Sequence, residues 1–237
     1  MNKLPRIFCL TLKETTLRSR GFAEQAANIG LDFEFFYGIF GCRLGLSANL
    51  VNELEYPDKE TFMGENGIAC NLSHLMMWNV MCYLPEEEFL VFEDDALIGP
   101  DFIEKFQTLY AKLPNDWQFV YVGWIPYGRD VAPTIVNDGI SIRLPNGTHA
   151  YLVKKSALKI LCEGLLPIQS NVDLSILSRC LPKLKYYVFD PSIVGQRSYN
   201  NIKDSTWMSL IYDWTTDPYG IRRRLLKELG VSDGWYN

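Results

Sequence analysis

The run Phe89-Leu90-Val91-Phe92-Glu93-Asp94-Asp95 sets three consecutive carboxylates directly after four apolar residues. Adjacent carboxylates repel, and desolvating even one costs roughly several kcal/mol unless positive charge compensates. A cation is the simplest compensation. Side chains leaving a strand alternate between its faces, so Glu93 and Asp95 are expected on one side and Asp94 on the other. Two carboxylates on one side suit a hard divalent cation, Mn2+ or Mg2+, with positions left for water and phosphate oxygens. A metal-bound diphosphate would fit there. The triplet alone leaves two alternatives open: a solvated strand-to-helix loop, and a metal-dependent phosphohydrolase, which also places acids after a strand.

The remaining chemistry is sparse. His74 and His149 are the only histidines, which excludes a multi-histidine metal site. As a neutral imidazole His149 suits a diphosphate or a metal, or it is a packed polar residue near a strand end. His74, one position before Leu75 in a helical pattern, suits a structural hydrogen bond. The six cysteines form no CxxC pair and no zinc-like spacing, so they are expected as core thiols in a reducing compartment.

A formal net charge of -5 argues against nucleic acid as a partner. No apolar stretch reaches the roughly 20 residues that span a bilayer, and Met1 to Leu10 lacks a secretory core, so a cytoplasmic protein is expected. Ile221, Leu225, Leu226 and Leu229 share a helical face beside Arg222, Arg223, Arg224 and Lys227. Such a helix suits peripheral contact with an anionic membrane, or docking on the domain.

These residues must be positioned by alternating strands and helices. Strands are expected at Arg6 to Leu12, Leu31 to Tyr37, Phe89 to Phe92, Phe119 to Trp124, Tyr151 to Val153 and Tyr186 to Phe189. The stretch from Ile135 to Leu144 reads as a hairpin bending at Asn137-Asp138-Gly139. Helices are expected through Phe22, Ala26 and Ile29 up to Gly30, from Ile68 to Tyr83, from Phe102 to Leu113, from Ser156 and from about Val172. In the second of these, Leu72, Leu75, Met76, Val80 and Tyr83 recur at helical spacing. Gly38 to Lys59 reads as irregular, with a short helix near Leu50. The pattern favours an α/β layer fold in one compact unit, and in such folds ligands gather beyond the carboxyl ends of strands, where the triplet stands.

Several blocks, taken in order, resemble glycosyltransferase family 25, which includes bacterial lipooligosaccharide and collagen galactosyltransferases. They are Ile7 to Leu12 with Arg18, Gly67 to His74 with Trp78, Phe92-Glu93-Asp94-Asp95, Gly147 to Val153, Val172-Asp173, and Pro191 to Gln196. The resemblance implies a GT-A fold: a mixed, Rossmann-like sheet flanked by helices, as a single domain with its core at about 5–200 and a helical extension at 201–237. It implies a metal-dependent inverting transfer of a hexose, galactose or glucose, from UDP-galactose or UDP-glucose to a glycan or glycolipid acceptor, as in lipopolysaccharide biosynthesis.

Carried onto this sequence, the family's pattern gives Glu93 and Asp95 to the metal and Asp94 to the ribose or the sugar. Thr11, Leu12 and Arg18 would line the nucleotide pocket. Gly147, Thr148 and His149 would pass close to the donor, with glycine permitting backbone approach. Asp173 would be the base, or equally the amino-terminal cap of a helix. Gln196 and Ser198 would contact acceptor or phosphate, or form a polar loop pair. Tyr37 and Phe40 stand where the family commonly has aspartates, and Ala69 where it has glycine. An aromatic ring stacks but cannot accept ribose hydroxyl bonds, which opens the donor to sugar nucleotides other than UDP-galactose. A non-catalytic sugar-binding relative and a phosphohydrolase are the other classes to separate from a transferase.

Overall fold

A computed structural model describes residues 4–41, 44, 64–126 and 132–197. The chain divides into two compact units, Met1–Arg197 and Ser198–Asn237, and all described residues belong to the first. The expected short helix near Leu50, Ser198 and the basic helix around Ile221 to Leu229 lie outside the described residues.

The elements run β1 (Arg6–Thr11), α1 (Thr16–Asn28), β2 (Glu34–Tyr37), α2 (Gly64–Tyr83), β3 (Glu88–Glu93), β4 (Ala96–Ile98), α3 (Phe102–Tyr110) and β5 (Phe119–Pro126). Then come β6 (Thr134–Asn137), β7 (Ile140–Ile142), β8 (Pro145–Lys154), α4 (Lys155–Leu165), α5 (Val172–Ser175), β9 (Tyr186–Phe189) and β10 (Val194–Gln196). The main sheet is ordered β2-β1-β3-β8-β5-β9-β7-β6, and β10 pairs with β4 in a small second sheet. Strand β1 is parallel to β2 and β3, while β8 is antiparallel to both β3 and β5. This is the expected mixed α/β sheet.

Burial on both faces explains why the central strands read as continuous apolar runs. In β3, Phe89 and Val91 join one core with Met77, Trp78 and Met81 of α2 and Leu158 and Leu161 of α4. Leu90 and Phe92 join the opposite core with Phe22 and Ala26 of α1 and Phe102 and Phe106 of α3. Strand β8 alternates likewise, Tyr151 and Val153 against Ala150 and Leu152. The hairpin β6-β7 turns at the expected place, where Gly139 takes a φ of 82° that other residues resist.

Four expectations are corrected. Strands β4 and β10 are too short to carry a sequence pattern. Strand β8 begins at Pro145, so the block Gly147 to His149 lies within a strand that reaches six residues upstream of Tyr151. Helix α3 ends at Tyr110, short of Leu113. In α2 the buried face is Ser73, His74, Met77, Trp78 and Met81, while Met76, Val80 and Tyr83 are exposed. That helix is apolar nearly all round, so spacing cannot choose its inner face. Polar residues with interior partners decide it.

Leu152, fully buried in the central β8, is expected to lose about 2–5 kcal/mol of stability on replacement by alanine. Ile135→Ala, on the exposed edge strand, should stay within about 0.5 kcal/mol of wild type. Urea midpoints compare the two, and equal losses would mean that the sheet order is wrong.

Candidate active site

Strand β3 ends at Glu93 and the chain turns at Asp94 and Asp95. Each acid then meets partners from different elements. Glu93 follows Phe89 and Val91 onto the α2 face, where its Oε1 lies 3.0 Å from His74 Nε2 and accepts the Thr148 hydroxyl at 2.5 Å. Asp94 goes to the α1 side. Its Oδ2 accepts the hydroxyls of Thr11 at 2.7 Å and Thr15 at 3.0 Å, and its Oδ1 pairs with Arg18. Asp95 Oδ2 lies 3.4 Å from both Arg18 Nη2 and Gln196 Nε2. Its Oδ1 is buried with no hydrogen-bond partner.

Strand alternation therefore holds from Glu93 to Asp94. The chain then turns, and Asp95 shares Arg18 with Asp94 while lying close enough to Glu93 to feel its charge. Asp94 is buried and both of its oxygens are engaged inside the protein. In this arrangement it holds Arg18 and the β1 end. Arg18 supplies part of the positive charge that the triplet demands.

The electrostatics separate the acids further. Burial alone would push Glu93 up, but His74, the Thr148 hydroxyl and Arg18 outweigh it and hold the carboxyl down at about 2. Asp95 is pushed up to about 7, first by burial and then by the charge of Glu93, against the opposing pull of Arg18. Asp173 is also raised, chiefly by burial and further by Glu93, while the backbone N–H groups of Leu174 and Gly147 pull it back. A buried, unpartnered oxygen on a carboxyl that resists ionisation is what a divalent cation would relieve, so Asp95 fits a metal ligand.

Helix α5 packs against α2 and β8 and so carries Asp173 into reach of Gly147 and Glu93. Asp173 does not cap that helix: Asn171 occupies the cap position, and Asp173 Oδ1 accepts the next residue's N–H at 2.8 Å. Gln196 arrives on β10, paired opposite Ala96. His149 is buried, with Nε2 3.4 Å from the Val194 carbonyl and Nδ1 unpartnered. Burial lowers its pKa, against Glu93 and that carbonyl. Leu12 sits at the turn into α1, where its carbonyl accepts from Thr15. Tyr37 is half exposed at the end of β2, beneath the Lys13 ammonium.

Sequence reasoning missed Thr15 and Tyr151. Thr15 stands at the start of α1, yet its hydroxyl forms no cap and lies against Asp94, Thr11 and Leu12. Its signal was a second threonine four residues after Thr11. Tyr151 read as a strand residue inside the Gly147 to Val153 block, with no role of its own. Cys9, Cys70, Cys82, Cys162 and Cys180 are free thiols. No helix among the described residues is long and apolar enough to cross a membrane.

A mixed sheet flanked by helices, with clustered carboxylates beyond a parallel strand, is the GT-A-like arrangement. The fold matches the apo-form glycosyltransferase GlyE of Streptococcus pneumoniae TIGR4 at a TM-score of 0.50 and 7% identity, covering 98% of this chain and 65% of that one. The family model described as glycosyltransferase family 25 (LPS biosynthesis protein) matches residues 4–130, more than half of the sequence, and the chain belongs to that family. It is similar to a glycosyltransferase 25 family member of Aedes aegypti, 28% identical over 129 residues, covering 49% of this chain and 21% of that protein. A counterpart in Anopheles gambiae is 27% identical over 128 residues, covering 51% and 22%. The chain thus spans about a fifth of the length of the curated relatives it matches.

Between the ordinary aspartate value of about 4 and the raised value of about 7, folded Asp95 keeps a proton that the unfolded chain has released. Its contribution to stability therefore falls as pH rises through that window and levels off above it. Asp95→Asn should accordingly melt a few degrees above metal-free wild type near pH 8 and show no gain near pH 4. Scanning calorimetry at the two pH values checks this, and a variant no more stable near pH 8 would contradict the burial of that charge.

Proposed function

We propose that the chain is a metal-dependent, inverting glycosyltransferase that moves a hexose, galactose or glucose, from a UDP-sugar to a glycan or glycolipid acceptor. The buried, unpartnered Oδ1 of Asp95 beyond the carboxyl end of β3 is the observation that carries this reading. Membership of the family supports it. Asp95 and the outer oxygen of Glu93 would hold Mn2+ or Mg2+, both hard cations suited to carboxylates. When bound, the ion supplies positive charge for the departing diphosphate.

The chain's own residues divide the remaining work. Arg18, fixed by Asp94, sets a second positive charge beside Asp95. Thr148 and His74 hold the Glu93 carboxylate. Asp173 takes the proton of the acceptor hydroxyl while that oxygen attacks the anomeric carbon and the bond to the diphosphate breaks on the opposite face. Its raised pKa suits a proton acceptor, and the Gly147 N–H anchors its carboxyl within range of Glu93. Tyr37 at the end of β2 supports stacking in donor recognition, in place of a carboxylate.

Thermal stability against a panel of nucleotide sugars, with and without Mn2+, tests the reading. One donor should stabilise the wild type only in the presence of metal, and Asp95→Asn should lose that shift. Asp173→Asn should keep the shift but lose about 10²–10⁴-fold in turnover. No shift with any donor, or release of inorganic phosphate without sugar transfer, would sink the proposal.

A further inference from the structure

A chain of hydrogen bonds reaches Glu93 from the core and fixes the positions of protons as well as atoms. The Trp78 indole N–H donates to the Tyr151 hydroxyl at 2.9 Å, and that hydroxyl lies 3.0 Å from His74 Nδ1. All three side chains are fully buried. Indole nitrogen only donates, so the phenolic oxygen is the acceptor there. Among the described residues, that leaves the phenolic proton a single acceptor, His74 Nδ1. A ring nitrogen that accepts carries no proton, so the neutral ring carries its proton on Nε2, which lies 3.0 Å from Glu93 Oε1. The other tautomer would strand the phenolic proton in the core and turn a lone pair toward a carboxylate.

A competing reading uses the same atoms. Cys70, His74 and Glu93 each offer a ligand atom within 4.8 Å of the others, a donor set that zinc accepts. Zinc needs the Nε2 lone pair, and the relay from Trp78 and Tyr151 places a proton there. We propose that His74 is a positioning residue whose Nε2–H, dictated by Trp78 and Tyr151, clamps Glu93 through Oε1 and closes the Cys70, His74, Glu93 cluster to a metal ion. Thr148 holds the same oxygen, so Oε2 is the edge of Glu93 left for the site. The use made of Oε2 rests on the glycosyl-transfer reading, but the proton placement does not.

Ring-nitrogen NMR of metal-free, histidine-labelled protein reads the placement without donor or acceptor. The chain has two histidines, and His149→Asn assigns the pair. Wild-type His74 should show a proton on Nε2 alone; a proton on Nδ1, or on both nitrogens, overturns the proposal. Glu93→Gln offers an amide that either tautomer can satisfy, so the Nε2–H form should persist there, and a mixture would mean that Glu93 and not the relay sets it. Adding Tyr151→Phe to Glu93→Gln should then produce the mixture, and an unchanged spectrum in that folded double variant overturns the relay. If the double variant fails to fold, wild type and Glu93→Gln still decide. A stoichiometric addition of Zn2+ to wild type should leave Nε2 protonated, and loss of that proton would make the cluster a metal site. Transfer activity can be absent with every one of these spectra as expected, so the two readings fail separately.

Discussion

Three carboxylates on consecutive residues at the edge of a buried sheet are tolerable only when each is answered from a different direction. Glu93 is answered by α2 and β8, Asp94 by the β1 end and α1, and Asp95 by Arg18 and the short β10. Compensation is uneven, and the unevenness has a direction. Glu93 receives two close donors and stays ionised, whereas Asp95 lies near two other negative charges with one oxygen unpartnered. The field inside the site therefore ranks the acids, and the last of the three is the one most in need of an external cation.

The sheet makes that division possible. Because β3 is buried on both faces, consecutive residues at its end leave toward different helices, and the first helix and α2 arrive on opposite sides. The antiparallel β8 then passes alongside β3 and delivers Thr148 and Tyr151, so one strand feeds both the direct contact to Glu93 and the relay behind His74. The small β4-β10 sheet follows the triplet at once and pins its far side, with the Arg197 N–H bonded to the Asp95 carbonyl at 2.9 Å. Three backbone crossings thus fix acids that would otherwise spread apart.

The main strands and helices were legible because apolar runs and helical spacing report burial directly. The short strands were not: three residues carry no period, and β4 and β10 exist through their pairing with each other. The inner face of α2 was hidden for a different reason. Its buried side includes Ser73 and His74, whose interior positions depend on partners far away in sequence, Ile39 and Tyr151 among them. The acids, Arg18, Thr148, Asp173 and Gln196 were picked out by residue type and by resemblance, and the fold brings them together. What residue type could not reveal was their orientation, such as the engagement of both Asp94 oxygens by Thr11, Thr15 and Arg18.

The glycines of the site show how a packing demand can mimic a ligand demand. Gly147 was expected to let the backbone approach a donor. A Cβ there would lie 3.0 Å from His149 Nδ1, and one at Gly123 would lie 2.6 Å from His149 Nε2 and 2.8 Å from the Val194 carbonyl. The imidazole is therefore held in a slot whose two walls cannot carry side chains, and Gly147 also takes a φ of 87° and donates its N–H to Asp173. Space for His149 and support for Asp173 both act on this glycine. The same strand position thus joins the packing around β10 to the Asp173 carboxyl on α5.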